Sequence, residues 1–268
     1  MFPRIRGALH QLRLAYVVCG IVITAFTLYP FLATSFLLHY RQGQRLIPKA
    51  YHRLMRRLLG LNISVRGSPS PCRPLCVVAN HTSWVDIIVI SSCLPVIFVA
   101  KQEVASWPFF GWLARLQRSI FVNRERHQVR QAICRIADAL LARDVIALFP
   151  EGTSTDGTIV VPFRSALMGA VHETLRREER LPAMFIQPVA VTYVGPNRNL
   201  VVWAREDDTP FLQHLLQVAG LRRIEVALTW GKPVTADRSS DRKVLAKHLE
   251  DTVRGFVAEA HGPEGLPR

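Results

Sequence analysis

Negative charge is missing from the start of this 268-residue chain. No Asp or Glu precedes Asp86, whereas Arg4, Arg6, Arg13, Arg41, Arg45, Lys49, Arg53, Arg56, Arg57, Arg66 and Arg73 all do. Those 11 account for much of the net charge of +14, because the other 23 basic residues face 20 acidic ones. A nearly neutral body therefore follows a basic arm, and the usual targets of such an arm are nucleic acid and anionic membrane. Cysteine is scarce, at five residues. That excludes a disulfide scaffold, and the odd count suits a reducing compartment. Cys72 and Cys76 have no second pair at metal-ligand spacing, so no structural metal is expected. Charged residues are only 20% of the chain against 49% hydrophobic, which excludes intrinsic disorder. The 15 Gly and 17 Pro follow no period, which excludes a fibre. There is no internal repeat, and no G-x-S-x-G nucleophile elbow is present.

What is present first is a long apolar run. Leu14 to Tyr40 holds no charged residue across 27 positions, enough to span a bilayer once. It is too long for the apolar core of a secretory signal. Pro30 divides it into two pieces too short to cross alone, and basic residues flank both ends. A single crossing would put one basic flank on the wrong side. The pattern favours a hairpin that dips into one leaflet and returns, over a single span or a buried soluble helix. Beyond it, Ile47, Ala50, Tyr51, Leu54, Met55, Leu58 and Leu59 recur at three- and four-residue steps with cations between them. This is a basic amphipathic helix suited to an anionic membrane surface. The cations sit beside an apolar run and not along an aromatic-interleaved groove, so nucleic acid is not expected as a partner. Residues 1–61 are thus expected to form a membrane anchor.

Residues 62–268 alternate short β-branched runs with helical patterns. Strands are expected at 63–66, 75–79, 96–100, 120–122, 145–149, 185–193, 200–203 and 224–230, and helices at 84–93, 126–142, 165–177 and 241–260. The expected fold is α/β, with a mostly parallel central sheet flanked by helices and an N-terminal membrane-embedded helical hairpin.

Four short segments carry chemistry. Asn80-His81-Thr82-Ser83-Trp84-Val85-Asp86 follows a strand and opens a helix. A loop His with an Asp five residues on can fold its imidazole against the carboxylate, leaving one nitrogen to take a proton from a hydroxyl. Phe149-Pro150-Glu151-Gly152-Thr153-Ser154 exposes a carboxylate at a strand's C-terminal edge, where α/β sheets bind ligands. Phe121-Val122-Asn123-Arg124 delivers an Arg at a strand end, a planar fork for phosphate or carboxylate. Pro188 in Gln187-Pro188-Val189 reads as an edge or first strand residue. Trp107, Phe109, Phe110 and Trp112 form an aromatic cluster, suited equally to core packing or to a membrane interface.

Together and in this order, the four segments resemble the glycerolipid acyltransferase family typified by 1-acylglycerol-3-phosphate acyltransferase. Asn80, His81, Ser83 and Asp86 match its NHxSxxD block, Arg124 its second block, Phe149 to Thr153 its FPEGT block, and Pro188 and Val189 its fourth. Lys101 sits where the family has a Lys before an aromatic-rich segment. The resemblance covers about residues 75–195. It implies a membrane-bound O-acyltransferase that moves a fatty acyl group from a thioester to the hydroxyl of a lysolipid. His81 would be the general base and Asp86 its orienter. Arg124, Glu151, Gly152, Thr153, Arg164 and Lys101 would bind substrate. No cofactor or metal is implied; acyl carrier protein or coenzyme A would present the acyl group. The expected location is the cell inner membrane, with the site facing the cytoplasm.

One departure bears on the acceptor. The family's third block continues FPEGTRS, with an Arg that helps to bind phosphate. Here Ser154 stands at that position and Asp156 adds a carboxylate nearby, while Arg164 matches the family's PFK position. The favoured acceptor is 1-acyl-sn-glycerol-3-phosphate, giving phosphatidate. The alternative is lyso-ornithine lipid, since the variant resembles the subgroup that acylates it. More remote is a non-catalytic membrane adaptor, which would predict loss of the His, Asp and Glu that are all present.

Overall fold

The computed structural model describes residues 2–123, 125–204 and 209–262. Two antiparallel helices come first, α1 (Phe2–Leu37) and α2 (Arg41–Leu58). There follow β1 (Leu61–Arg66), β2 (Leu75–Ala79), α3 (Val85–Cys93), β3 (Ile97–Lys101), α4 (Phe110–Leu116), β4 (Ile120–Val122), α5 (Arg126–Leu141) and β5 (Val145–Leu148). The chain continues through α6 (Gly169–Arg177), β6 (Met184–Val194), the short α7 (Arg198–Val201), α8 (Phe211–Gly220), β7 (Ile224–Trp230), β8 (Val234–Ala236) and α9 (Arg242–His261).

The strands form one sheet in the order β1-β7-β6-β2-β5-β3-β4, with β8 also on β6. From β6 to β4 every pairing is parallel, while β7 and β8 run antiparallel to β6. Alternate residues of the central strands feed two cores. Leu75, Val77, Ala79, Val145, Ala147, Val189 and Val191 pack under the α1–α3 side. Cys76, Val78, Ile146, Leu148, Ile186 and Ala190 pack under α5, α6 and α9. Strands buried on both faces are the mark of a parallel sheet between helical layers. The order places the C-terminal ends of β2, β5 and β6 side by side, which is where the loops 80–84 and 149–154 emerge.

Three expectations are corrected. The apolar run does not fold at Pro30, because α1 continues through it. The turn falls at 38–40, so the hairpin is the pair α1–α2. A proline costs a helix one N–H, and it is tolerated where neighbouring helices hold the segment. Here Val17, Ile21, Ala25 and Leu32 of α1 are buried against the rest of the molecule. Residues 200–203 form no strand: Leu200 and Val202 donate to the carbonyls of Asn197 and Arg198 in a helical turn. The sheet position beside β7 is already taken by β1. Pro188 lies inside β6 and not at its start or on an edge strand. Its missing N–H is harmless there, because pairing with β8 ends at Ile186 and pairing with β7 begins at Val189.

Part of the basic arm is spent inside the fold. Arg45 and Arg118 both bind the buried Asp144, at 2.6 and 2.8 Å. Arg13 reaches the carbonyls of Leu58 and Leu221, and Arg53 that of Ser92. On its outer side α1 exposes Leu12, Tyr16, Ile23, Phe26 and Phe31, and its segment Gly7–Leu37 is long and apolar enough to cross a membrane.

Candidate active site

The site grows from the loop between β2 and α3. Asn80 fixes its start: its amide donates to Val191 O and its Oδ1 accepts from Val191 N, both at 2.9 Å. The loop then turns so that Asp86, in the first turn of α3, points back along it. A carboxylate at a helix N-terminus is held by free N–H groups and by the helix dipole. Oδ2 of Asp86 accepts from Thr82 N at 2.8 Å, Ser83 N at 3.0 Å and His81 Nδ1 at 2.8 Å. Asp86 has no solvent exposure, while the His81 side chain keeps 24%. The tautomer follows. A carboxylate only accepts, so Nδ1 carries the proton and the lone pair of Nε2 faces the open side. His81 stacks on Phe149, with ring centroids 4.2 Å apart, and Phe149 stacks on Phe98 in turn. The imidazole is thus fixed by a hydrogen bond at its edge and by rings at its face.

Tyr193 supports the dyad from behind, and no local sequence pattern points to it. Its buried hydroxyl donates to Asp86 Oδ1 at 2.7 Å from 107 residues away. Burial and then the charge of Asp86 push this phenol well above its ordinary range, so it stays a donor.

Glu151 is placed differently from the expectation. It is 1% exposed, and its two oxygens accept from His81 N at 2.7 Å and Val161 N at 3.0 Å. It joins the catalytic loop to the 155–163 segment and presents no free oxygen to a headgroup. Burial pushes its carboxyl up to about 7, against the opposing pull of those two N–H groups. Gly152 has φ +67, and a Cβ there would sit 3.4 Å from the Arg164 guanidinium. Arg164 is exposed beside it and is tied to the FPEGT turn through its N–H on Pro150 O. Thr153 is half-buried in the same turn. Lys101 is exposed at the end of β3, in register with Val122 of β4. Arg124, two residues beyond Val122, lies outside the described residues.

Asp156 is exposed near the dyad. Its neighbours hold the segment there: Thr155 N donates to His81 O at 3.0 Å, and Gly157 lies against Thr82. Oδ1 of Asp156 accepts from Thr158 N and Oγ1, and those bonds hold its carboxyl below the usual range.

Behind Phe98, the far ring of the His81–Phe149–Phe98 stack, lies an apolar cavity of about 180 Å³. Ile21 and Ala25 of α1, Met55 of α2, Ile88 of α3, Phe98 of β3 and Phe211 of α8 are among its walls. The aromatic cluster divides between two neighbours. Trp107 and Phe110 line the cavity, while Trp112 packs on the exposed Phe26 and Tyr29 of α1. Among the described residues no cluster of His, Cys, Asp and Glu could hold a metal ion.

Comparison with known proteins agrees with this geometry. The Acyltransferase family model matches residues 62–192. A lyso-ornithine lipid O-acyltransferase of Brucella abortus is 37% identical over 263 residues, covering 93% of this chain and 95% of that protein. A 1-acyl-sn-glycerol-3-phosphate acyltransferase of Neisseria gonorrhoeae is 26% identical, covering 75% and 76%. The crystal structure of the 1-acyl-sn-glycerophosphate acyltransferase of Thermotoga maritima shares the fold, with TM-score 0.65 at 20% identity over 98% of this chain and all of that one. A buried-Asp/His dyad on the NHxSxxD loop, a full-length relative and a shared fold converge, and the chain belongs to the acyltransferase family.

Proposed function

We propose that this enzyme transfers an acyl group from a thioester to the free hydroxyl of lyso-ornithine lipid. The observation that carries the reaction is the dyad: His81 Nε2 has no protein partner among the described residues, and Nδ1 is held 2.8 Å from a buried carboxylate. The acceptor hydroxyl gives its proton to Nε2 as its oxygen attacks the thioester carbonyl. Asp86 stabilises the imidazolium that forms. As the tetrahedral intermediate collapses, the C–S bond breaks and the imidazolium returns the proton to the leaving thiolate. The cavity would hold the acyl chain away from water. Donor and acceptor together supply every atom of this exchange, so the reading invokes no cofactor. The donor would be an acyl carrier protein or coenzyme A thioester.

The acceptor assignment is supported by Asp156 and by Ser154 in place of a phosphate-binding Arg. It is supported also by the near full-length similarity to a lyso-ornithine lipid O-acyltransferase. An amine-bearing headgroup suits an exposed carboxylate, and a phosphate does not. 1-Acyl-sn-glycerol-3-phosphate remains the second reading because Arg164 and Lys101 are both exposed at the same edge.

The N-terminal helix implies membrane association, and its placement supports lying in one leaflet over spanning. α1 is held to the body from Arg13, bonded to Leu58 O and Leu221 O, to Ser35, which abuts Gly43 of α2. A crossing helix needs about 20 apolar residues in the bilayer, and these contacts tie both ends of the α1 apolar stretch to one side of the molecule. The outer cations of α2, such as Arg57, would meet anionic headgroups. All five cysteines are free, in keeping with a site on the cytoplasmic side of the inner membrane.

The test is acyl transfer by membranes carrying wild type or His81→Ala, with lyso-ornithine lipid and lysophosphatidate offered in parallel. Loss of the base should cost on the order of 10²–10⁴ in rate. Asp156→Asn should lower transfer to lyso-ornithine lipid and spare lysophosphatidate. Full activity of His81→Ala would remove the mechanism, and exclusive use of lysophosphatidate would reassign the acceptor.

A further inference from the structure

The cavity behind Phe98 is walled mainly by hydrocarbon, yet α2 brings two polar rings to it in succession, Tyr51 and His52. His52 is 7% exposed. Its Nδ1 lies 2.8 Å from Pro48 O one turn back along the helix. A carbonyl oxygen only accepts, so Nδ1 carries the proton and Nε2 is left as an acceptor. Burial lowers the imidazole to about 4, which keeps it neutral and keeps that lone pair available. Tyr51 lies beside it, ring centroids 5.3 Å apart and edge to face, and burial raises its phenol so that it stays a donor. Neither His52 Nε2 nor the Tyr51 hydroxyl has a hydrogen-bond partner among the described residues. Neither residue takes part in the dyad.

Neither atom is sealed off, so each can hold a water molecule; an unbranched alkyl chain entering the cavity would displace that water and offer nothing in return. One group small enough for a lipid channel has the chemistry to suit both rings. A hydroxyl donates its proton to His52 Nε2 and accepts from the Tyr51 phenol. We infer that Tyr51 and His52 form a hydroxyl-binding subsite, so that the cavity selects a fatty chain carrying a hydroxyl part-way along its length. This rests on the cavity holding an acyl chain during transfer. The chain could be the one arriving on the thioester or the one already resident on the lysolipid. The chemistry recognised is the same.

Two series of substrates separate those sources. Acyl-thioester donors of one length, plain or with the hydroxyl stepped along the chain, are compared with a fixed acceptor. Lysolipids whose resident chain is plain or carries a hydroxyl besides the reacting one are then compared with a fixed plain donor. In one series, at one hydroxyl position, wild type should show kcat/KM about tenfold or more above the plain chain, the value of one hydrogen bond in a dry site. His52→Phe should bring that ratio to about one, and His52→Gln, which keeps an acceptor, should restore part of it. Tyr51→Phe should lower the ratio less. A ratio near one for wild type in both series would mean that the pair holds only water, and a preference that survives His52→Phe would place the selection elsewhere; either result overturns the subsite. If wild type transferred no acyl group at all, the acyltransfer reading would fail separately. The subsite would then be judged by competition of hydroxylated and plain fatty acids for a fluorescent fatty acid bound to wild type and His52→Phe.

Discussion

Asp86 is where the catalytic loop is decided, residue by residue. Its Oδ2 collects three N–H donors and its Oδ1 the Tyr193 phenol and, at longer range, the Thr82 hydroxyl. The His81 contact was legible in the sequence, because the two residues lie five apart on one loop, whereas the Thr82 and Ser83 N–H groups became visible only with the helix N-terminus in place. Tyr193 was not legible, because only the pairing of β2 with β6 brings it across. Its hydrogen bond helps to hold the carboxylate that faces His81 in place. In Tyr193→Phe the carboxylate loses that buried partner and is freer to turn away from His81 Nδ1. Activity should therefore fall by about tenfold in kcat with KM little changed. A tyrosine needed only for folding would instead lower the melting temperature and leave kcat of the folded enzyme unchanged. Glu151 shows the converse limit of sequence reading. FPEGT marks a strand end with a carboxylate, but only the fold shows both oxygens turned inward to backbone N–H groups.

At the scale of elements, the α/β body was the legible part. Residues 75–79, 120–122 and 224–230 form strands as expected, because continuous β-branched runs between turn signals leave few alternatives. α4 and α8 went unread: Phe110–Leu116 carries an early Gly and Phe211–Gly220 mixes Gln and His into its apolar face. The α1–α2 pair was misread at Pro30 because packing, not local propensity, keeps that helix whole. Its close approach can be tested. A Cβ on Gly20 would lie 2.8 Å from Leu58 Cδ2. That neighbour is the flexible end of a side chain, so Gly20→Ala should be absorbed. Gly20→Ile should force the helices apart and destabilise by about 1–3 kcal/mol. Ile21 is a wall of the cavity, so the same variant should lose transfer of long chains more than of short ones. Thermal unfolding in detergent and a chain-length series check both halves, and equal melting of the Ala and Ile variants would show that the helices are not in register at Gly20.

Across the whole molecule, two buried groups couple stability to pH with opposite signs. The Glu151 carboxyl is raised by burial from 4.5 to about 7. As pH falls from 7 to 4.5 the folded state takes up this proton before the unfolded chain does, so stability rises. The His52 imidazole is lowered by burial from 6.5 to about 4. Between those values the unfolded chain takes up its proton and the folded state does not, so stability falls as pH falls. Each slope approaches about 1.4 kcal/mol per pH unit, and between pH 4.5 and 6.5 the two oppose each other. Glu173, held at about 2 by Arg176 and Arg177, adds acid lability only below that range. Single substitutions should expose the cancellation. Measured as the difference from wild type in urea midpoint, His52→Phe should gain stability steadily as pH falls from 6.5 to about 4. Glu151→Gln, whatever its offset from the lost carboxylate, should lose stability relative to wild type as pH falls from 7 to 4.5. Both differences should level off outside those windows. Differences that do not vary with pH would mean that neither group changes its proton affinity on folding, and that the neutral His52 the cavity requires is not held there by burial.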